Sequence, residues 1–423
     1  MNITVLGLWH LGCVTAACCA ERFPNVRGLD FDPGLIAQLQ EGRPPISEPG
    51  LTELLQAGLR AGSLSFSADA EAACRGADVL WVCDDTPVDE EDRADVEFVL
   101  ARLRRCLPHL RAGAVVVISS QMPAGTCRRL SAESPQVVFA CVPENLQLGR
   151  ALDAFRRADR LVIGVRDAAA RDTLEALCRP FSQNLIFMSP ESAEMTKHAL
   201  NGFLALSVSY INEVARICER VGADASEVEA GLKSDPRIGP RAYLKPGPAF
   251  AGGTLARDVA QMMNLGQMFG EPLRLIPAIK QSNDQHKQWA WENLARLLGS
   301  VKDKTVAVLG LTYKPLTDTL RRSSALELCR RLLEAGAAVR AFDPAIRELP
   351  PEWQSVQLAG SAEAACREAD AAVLCTPWPE FRQLDWPACL RGMRRPMLLD
   401  AQSFAREQVR GLPLEYYSVG RKT

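Results

Sequence analysis

The sequence has almost no excess of either charge. Its 49 Lys and Arg nearly balance 51 Asp and Glu, leaving a formal net charge of -2 over 423 residues. That balance gives no electrostatic footprint for nucleic acid or for a membrane surface. Long apolar runs are also missing, and none approaches the ~20 residues of a membrane-spanning helix. Histidine is scarce, at four residues, and no C-x-x-C pair occurs. No metal site and no disulfide framework has suitable ligand spacing. The 14 cysteines that are present include Cys13, Cys18 and Cys19 on one predicted helix and Cys83, Cys141 and Cys375 at the ends of apolar strands. Thiols in such places act as small buried hydrophobes. The amino terminus enters a strand at once, without a basic stretch, so a cytoplasmic location is the expectation.

Hydrophobic residues at 47% and charged residues at 24% are ordinary for a folded globule, and 423 residues exceed one ordinary core. Short β-branched runs (Ile3 to Leu6, Val79 to Val82, Val115 to Ser119, Val137 to Ala140, Leu161 to Val165) alternate with helical patterns up to about residue 190. This alternation predicts a parallel α/β sheet. A second series starts at Lys304 and continues through Val339 to Asp343, Ala372 to Cys375 and Met397 to Asp400. Between them, Glu191 to Val221 carries apolar residues at helical intervals and stops at Gly222. The expected fold is α/β, with two doubly wound domains at 1–190 and 299–423 and a helical domain at 191–298 that begins with a long connecting helix.

The first strand is followed by Gly7-Leu8-Trp9-His10-Leu11-Gly12, which matches G-x-G-x-x-G at its first and third glycines. The first glycine makes the tight turn and the third admits close helix packing, as in a Rossmann dinucleotide site. Trp9 replaces the second, where the backbone approaches a pyrophosphate at the helix N-terminus. Asp30 closes the second strand at the distance suited to ribose hydroxyls. Farther along, Lys197 and Asn201 are four residues apart, which places them one above the other on a helix face. Glu144, read by itself, is either an acid/base group or a loop carboxylate capping a backbone turn.

Several segments, in order, resemble the UDP-glucose/GDP-mannose 6-dehydrogenase family across almost the whole chain. They are ISEPGL (46–51), VCDDTP (82–87), SSQMPAGT (119–126), PENLQLG (143–149), ESAEMTKHALN (191–201), DPRIG (235–239), PGPAFAGGTLARD (246–258) and GLTYKPLTDTLR (310–321). The resemblance implies a nucleotide-sugar substrate and NAD, with Gly7, Gly12, Asp30, Thr86 and Arg321 on the cofactor. It implies Glu144 as acid/base, Lys197 and Asn201 as stabilisers of an oxyanion at C6, and Asp258 beside the reacting water. Phe250 and Lys314 fall at substrate positions, and Arg237 at a position that reaches across a subunit boundary, which implies a homodimer.

Departures from the family pattern fall at chemical positions: Trp9, Asp85 for glycine, Gln121 for threonine, Leu148 for glutamate and Thr254 for the nucleophilic cysteine. A carboxylate ~4 Å from a phosphate charge repels it by about 4 kcal/mol at an effective dielectric near 20. Trp9 and Asp85 therefore oppose NAD binding unless both are turned aside. A free thiol titrates near 8.5, whereas an alkyl hydroxyl ionises far higher and needs a dedicated base. Two readings follow. One is an NAD-linked enzyme that oxidises C6 of a UDP- or GDP-hexose with altered or incomplete chemistry. The other is a degenerate paralogue that binds nucleotide sugar or a partner homologue without dehydrogenase activity.

Overall fold

The computed structural model describes residues 1–87, 89, 94–144, 146, 148–251 and 253–421. Asn145, Gln147 and Gly252, which belong to two of the motifs above, lie outside the described residues. The chain forms two compact units, Met1–Leu200 and Asn201–Thr423.

The first unit carries an eight-stranded sheet. Its strands are β1 (Asn2–Leu6), β2 (Asn25–Leu29), β3 (Leu64–Ser67), β4 (Val79–Val82), β5 (Val115–Ile118), β6 (Val138–Cys141), β7 (Leu161–Gly164) and β8 (Leu185–Met188). They lie in the order β3-β2-β1-β4-β5-β6-β7-β8. Successive side chains of one strand feed opposite faces of the sheet. Val5 and Val117 enter a core with Cys13, Leu55 and Leu174, while Leu6 and Val116 enter another with Leu103 and Leu130. Both faces are covered by helices, so the strands read as continuous apolar runs instead of alternating ones. One pair corrects the expectation of an all-parallel sheet. β6 and β7 are antiparallel through Cys141 and Gly164, and β8 runs parallel to β7. Strand direction depends on how the connection returns, which residue periodicity does not encode.

The second unit has six parallel strands, β9 (Thr305–Leu309), β10 (Ala338–Phe342), β11 (Gln357–Leu358), β12 (Ala371–Leu374), β13 (Met397–Asp400) and β14 (Glu415–Tyr417). Their order is β11-β10-β9-β12-β13-β14. The expected strands do not include the short β3, β8, β11 and β14; all four lie at sheet edges, where half the packing that fixes an apolar pattern is absent. The 32-residue helix Pro190–Val221 belongs to the first unit up to Leu200 and to the second from Asn201. Helices Ala225–Ser234, Thr254–Phe269, Leu275–His286 and Trp289–Leu298 follow it.

Thirteen of the cysteines are buried and Cys375 is nearly so. Burial pushes the Cys19 and Cys83 thiols well above their ordinary range, which leaves them as inert apolar groups. No helix among the described residues is long and apolar enough to cross a membrane. Among the same residues, no group of three or more His, Cys, Asp or Glu is placed to hold a metal ion.

Candidate functional site

The turn after β1 is built for a close approach. Gly7 has φ +88, and a Cβ placed on Gly12 would sit 1.7 Å from the Gly7 carbonyl oxygen. Only glycine fits at either position. The helix His10–Ala20 starts here with no side-chain cap and no acidic residue in its first turn. Its first amides are left for a ligand of negative charge. Asp30 holds the turn in place by accepting the Leu8 amide at 2.9 Å and the Asp32 amide at 3.1 Å. The second unit repeats the device. There, Gly310 has φ +86, and Asp343 accepts the Leu311 and Thr312 amides at 2.7 and 3.0 Å and the Trp378 indole N–H at 3.0 Å.

A cleft of about 610 Å³ opens over the first turn, lined by Gly7, Trp9, Asp30, Asp84, Phe98 and Arg102 among others. Trp9 is 48% exposed. It lines the cleft without filling it, and Asp85 is exposed at the same cleft. The residue that sequence reasoning missed is Asp84, which is buried at 5% exposure beneath Gly7. Arg102 bridges it to Asp30, with Nε 2.7 Å from Asp84 Oδ1 and Nη2 2.9 Å from Asp30 Oδ2. Burial pushes the Asp84 carboxyl up to about 6, against the pull of Arg102 and with a further push from Asp30. A buried ionisable residue ending an apolar strand was the available signal. The glycine cradle, the uncapped helix start and the open cleft fit a dinucleotide, while the carboxylates that line the cleft, the buried Asp84 foremost, oppose its phosphates.

Thr86 ties the turn after β4 to the neighbouring loop, its hydroxyl donating to the Gln121 carbonyl at 2.8 Å. Beside that loop, a small cavity is lined by Ser119, Gln121, Cys141, Glu144, Glu194 and Lys197. Lys197 Nζ donates to the Glu144 backbone carbonyl and lies 3.9 Å from its Oε1. Glu144 Oε2 also accepts the Leu146 amide at 2.6 Å, so the local turn and the lysine share this carboxylate. Glu194, one turn before Lys197, was also missed. It is buried and receives the Gly125 and Cys127 amides, the latter at 2.8 Å, at the start of the helix Thr126–Glu133. Glu48 acts similarly in the ISEPGL motif, accepting the Gly149 and Ala151 amides at 2.7 and 2.9 Å and bonding His10 at 2.9 Å. Burial alone would raise its carboxyl, but these bonds hold it below the usual range.

In the second unit, Asn201 donates to Asp258, which is fully buried on the helix Thr254–Phe269. Thr254 is exposed and is the first residue of that helix. The loop before it is pinned from two helices. Asn212 Oδ1 accepts the Gly247 amide at 3.0 Å, and His286 Nε2 lies 2.8 Å from the Gly247 carbonyl. Asn283 bonds both the amide and the carbonyl of Phe250, at 2.9 and 2.8 Å. Burial lowers the His286 titration point and keeps the ring neutral. Lys314 is half-buried in the loop after β9, and Arg321 is exposed seven residues later. Arg237 stands apart on an exposed turn, paired with Asp235 at 2.7 Å.

Known proteins match this chain over nearly its full length. Residues 1–182 match the NAD-binding domain of the UDP-glucose/GDP-mannose dehydrogenase family, residues 191–285 its central domain, and residues 307–407 its UDP-binding domain. The UDP-glucose 6-dehydrogenase TuaD of Bacillus subtilis (strain 168) is 34% identical over 99% of this chain and 93% of its own. A UDP-glucose 6-dehydrogenase of Rhizobium meliloti (strain 1021) is 34% identical over the whole of both chains. Among solved structures, a UDP-glucose dehydrogenase from Pyrobaculum islandicum superposes with a TM-score of 0.87, at 31% identity over 99% of this chain and 98% of its own. With the doubled glycine-turn sheets, the NAD-type cleft and these matches together, the chain belongs to the UDP-glucose/GDP-mannose dehydrogenase family.

Proposed function

We propose that the protein oxidises the C6 alcohol of a nucleotide hexose, with NAD as hydride acceptor and UDP-glucose as the default substrate. The observation that carries this reading is the placing of Lys197 beside Glu144 in the first unit, with Nζ on the Glu144 carbonyl and 3.9 Å from its Oε1. A lysine so placed stabilises charge developing on an alcohol oxygen, the role that Asn201 shares in this reading. A carboxylate within reach takes the proton as the hydride departs. The relatives named UDP-glucose 6-dehydrogenase support the same substrate class. Gly7, Gly12, Asp30, Thr86 and Arg321 serve the cofactor in this reading, and Phe250, Lys314 and Arg237 the sugar nucleotide.

Thr254 limits the chemistry. Its hydroxyl lacks the thiolate population that captures an aldehyde near neutral pH. The reaction then halts after one hydride, at the aldehyde. Purified protein with NAD and UDP-glucose should yield one NADH per sugar consumed, and Thr254→Cys should raise this to two with formation of the acid. Two NADH per sugar from the unaltered protein would refute the limit set by Thr254. The missing sulfur also favours a second reading, a relative that binds nucleotide sugar without turnover. Calorimetry showing UDP-sugar binding, with no NADH formed under any condition, would select it.

We further propose a homodimer, cytoplasmic residence, and functional boundaries near residues 190 and 298. Phe203, Tyr210 and Ile217 are exposed at seven-residue intervals on the central helix, a stripe suited to a second copy. Light scattering at a dimer mass supports this, and a monomer at micromolar concentration refutes it.

A further inference from the structure

β1 is flanked by β2 on one side and β4 on the other. The turns leaving β1 and β4 therefore meet where strand order reverses, the place at which open parallel sheets bind ligands. Asp84 forms the floor there. A Cβ added to Gly7 would come within 2.5 Å of its Oδ1. Its side chain is 4% exposed, Oδ1 is engaged by Arg102, and Oδ2 has no hydrogen-bond partner among the described residues. A buried acceptor without a partner is costly, and it signals a ligand or a proton.

The charges around this carboxyl leave little room for another anion. Asp85 comes from the same turn, and Asp30 and Asp32 from the turn after β2. Arg102, from the helix Val96–Cys106, is the one cation among the described residues lining the cleft. Cys83 and Cys106 lie near it as buried neutral thiols, and the Glu144 carboxylate also acts on Cys83. His10 opens the helix over the cleft and is bonded to Glu48. A diphosphate entering here meets four carboxylates and a single guanidinium already shared by two of them.

We propose that Asp84 is a proton-linked cofactor-binding residue: it takes up one proton as NAD binds, so that Oδ2 presents a donor instead of a charge to the incoming diphosphate. This rests on the NAD reading above. The upward push on the carboxyl, to about 6, places the free protein within easy reach of that proton near neutral pH.

The test is calorimetric titration of NAD into the full chain from pH 5.5 to 8.5, in buffers of different ionisation enthalpy, alongside Asp84→Asn. The dissociation constant should be flat below about pH 6 and rise by up to about tenfold per unit above it, with uptake approaching one proton. Asp84→Asn should bind NAD at pH 8 more tightly than the unaltered protein, with a flat profile. NAD binding that is independent of pH, or equally dependent in Asp84→Asn, would overturn the proposal and leave the cofactor reading intact. Failure of both proteins to bind NAD at any pH would overturn the cofactor reading, and the proposal with it. The proton count of the unaltered protein decides the matter should the variant not fold.

Discussion

Replacing Asp84 by Asn should make this protein more stable at alkaline pH, contrary to the usual result of removing a buried ion-pair partner. The carboxyl is displaced from an ordinary value of 3.8 to about 6, with burial the leading cause and Arg102 only partly offsetting it. A displacement of about two units at roughly 1.4 kcal/mol each corresponds to about 3 kcal/mol of destabilisation carried by the ionised form. The sign follows from the direction of the displacement. For an acid whose titration point is raised by folding, stability is fully present below 3.8 and is lost as pH rises through about 6. The Asn variant is neutral throughout, keeps the shape of the side chain, and leaves Arg102 paired with Asp30 at 2.9 Å. Its advantage should therefore be largest at pH 8, reaching as much as about 3 kcal/mol, and should shrink toward pH 4. Scanning calorimetry of both proteins across this range should show the first transition of the variant several degrees higher at pH 8, converging on acidification. A variant that is less stable at pH 8, or a difference that does not change with pH, would refute the reasoning. The first result would mean that the Arg102 bridge outweighs the burial of its partner, and the second that folding does not displace the carboxyl's titration.

Gly12→Ala should abolish NAD binding while the second unit stays folded, because its Cβ would overlap the Gly7 carbonyl at 1.7 Å; fluorescence titration with NADH checks this. Glu194→Ala removes the acceptor for two amides at the start of the helix Thr126–Glu133 and should destabilise the first unit by about 1–2 kcal/mol, read by urea denaturation. His286 is held neutral by burial, so the stability it lends the loop 246–251 is present above 6.5 and is lost as pH falls through its lowered titration point. Hydrogen exchange at Gly247 and Phe250 should accelerate on acidification, and His286→Gln should exchange without that pH dependence.

Elements buried on both faces, and motifs whose spacing is local, were legible in the chain itself. β1, β4, β5 and β9 read as apolar runs because both sides of each strand meet helices. The glycine pair at 7 and 12 reads correctly because both constraints, a positive φ and a close approach, lie within one turn. The helix from Pro190 to Val221 is a periodic pattern long enough to outweigh any single residue. What escaped were properties that arise when distant segments converge. Asp85 drew attention as the carboxylate replacing a glycine, yet it faces solvent, and its neighbour Asp84 is the one turned inward. Which of two adjacent acids is buried depends on where the strand ends, and a shift of one residue exchanges the faces. Arg102 is eighteen residues beyond Asp84 and seventy-two beyond Asp30, so no local pattern announces the bridge. Glu48, Glu194, Asn283 and His286 likewise show their purpose only through amides and carbonyls brought to them by the fold. The sequence by itself determined the two α/β domains, the long helix and the residue types available at each motif, because periodicity and turn geometry are encoded over short spans. Tertiary structure decided which charges are desolvated and which are solvated, since burial is a property of everything packed around a group.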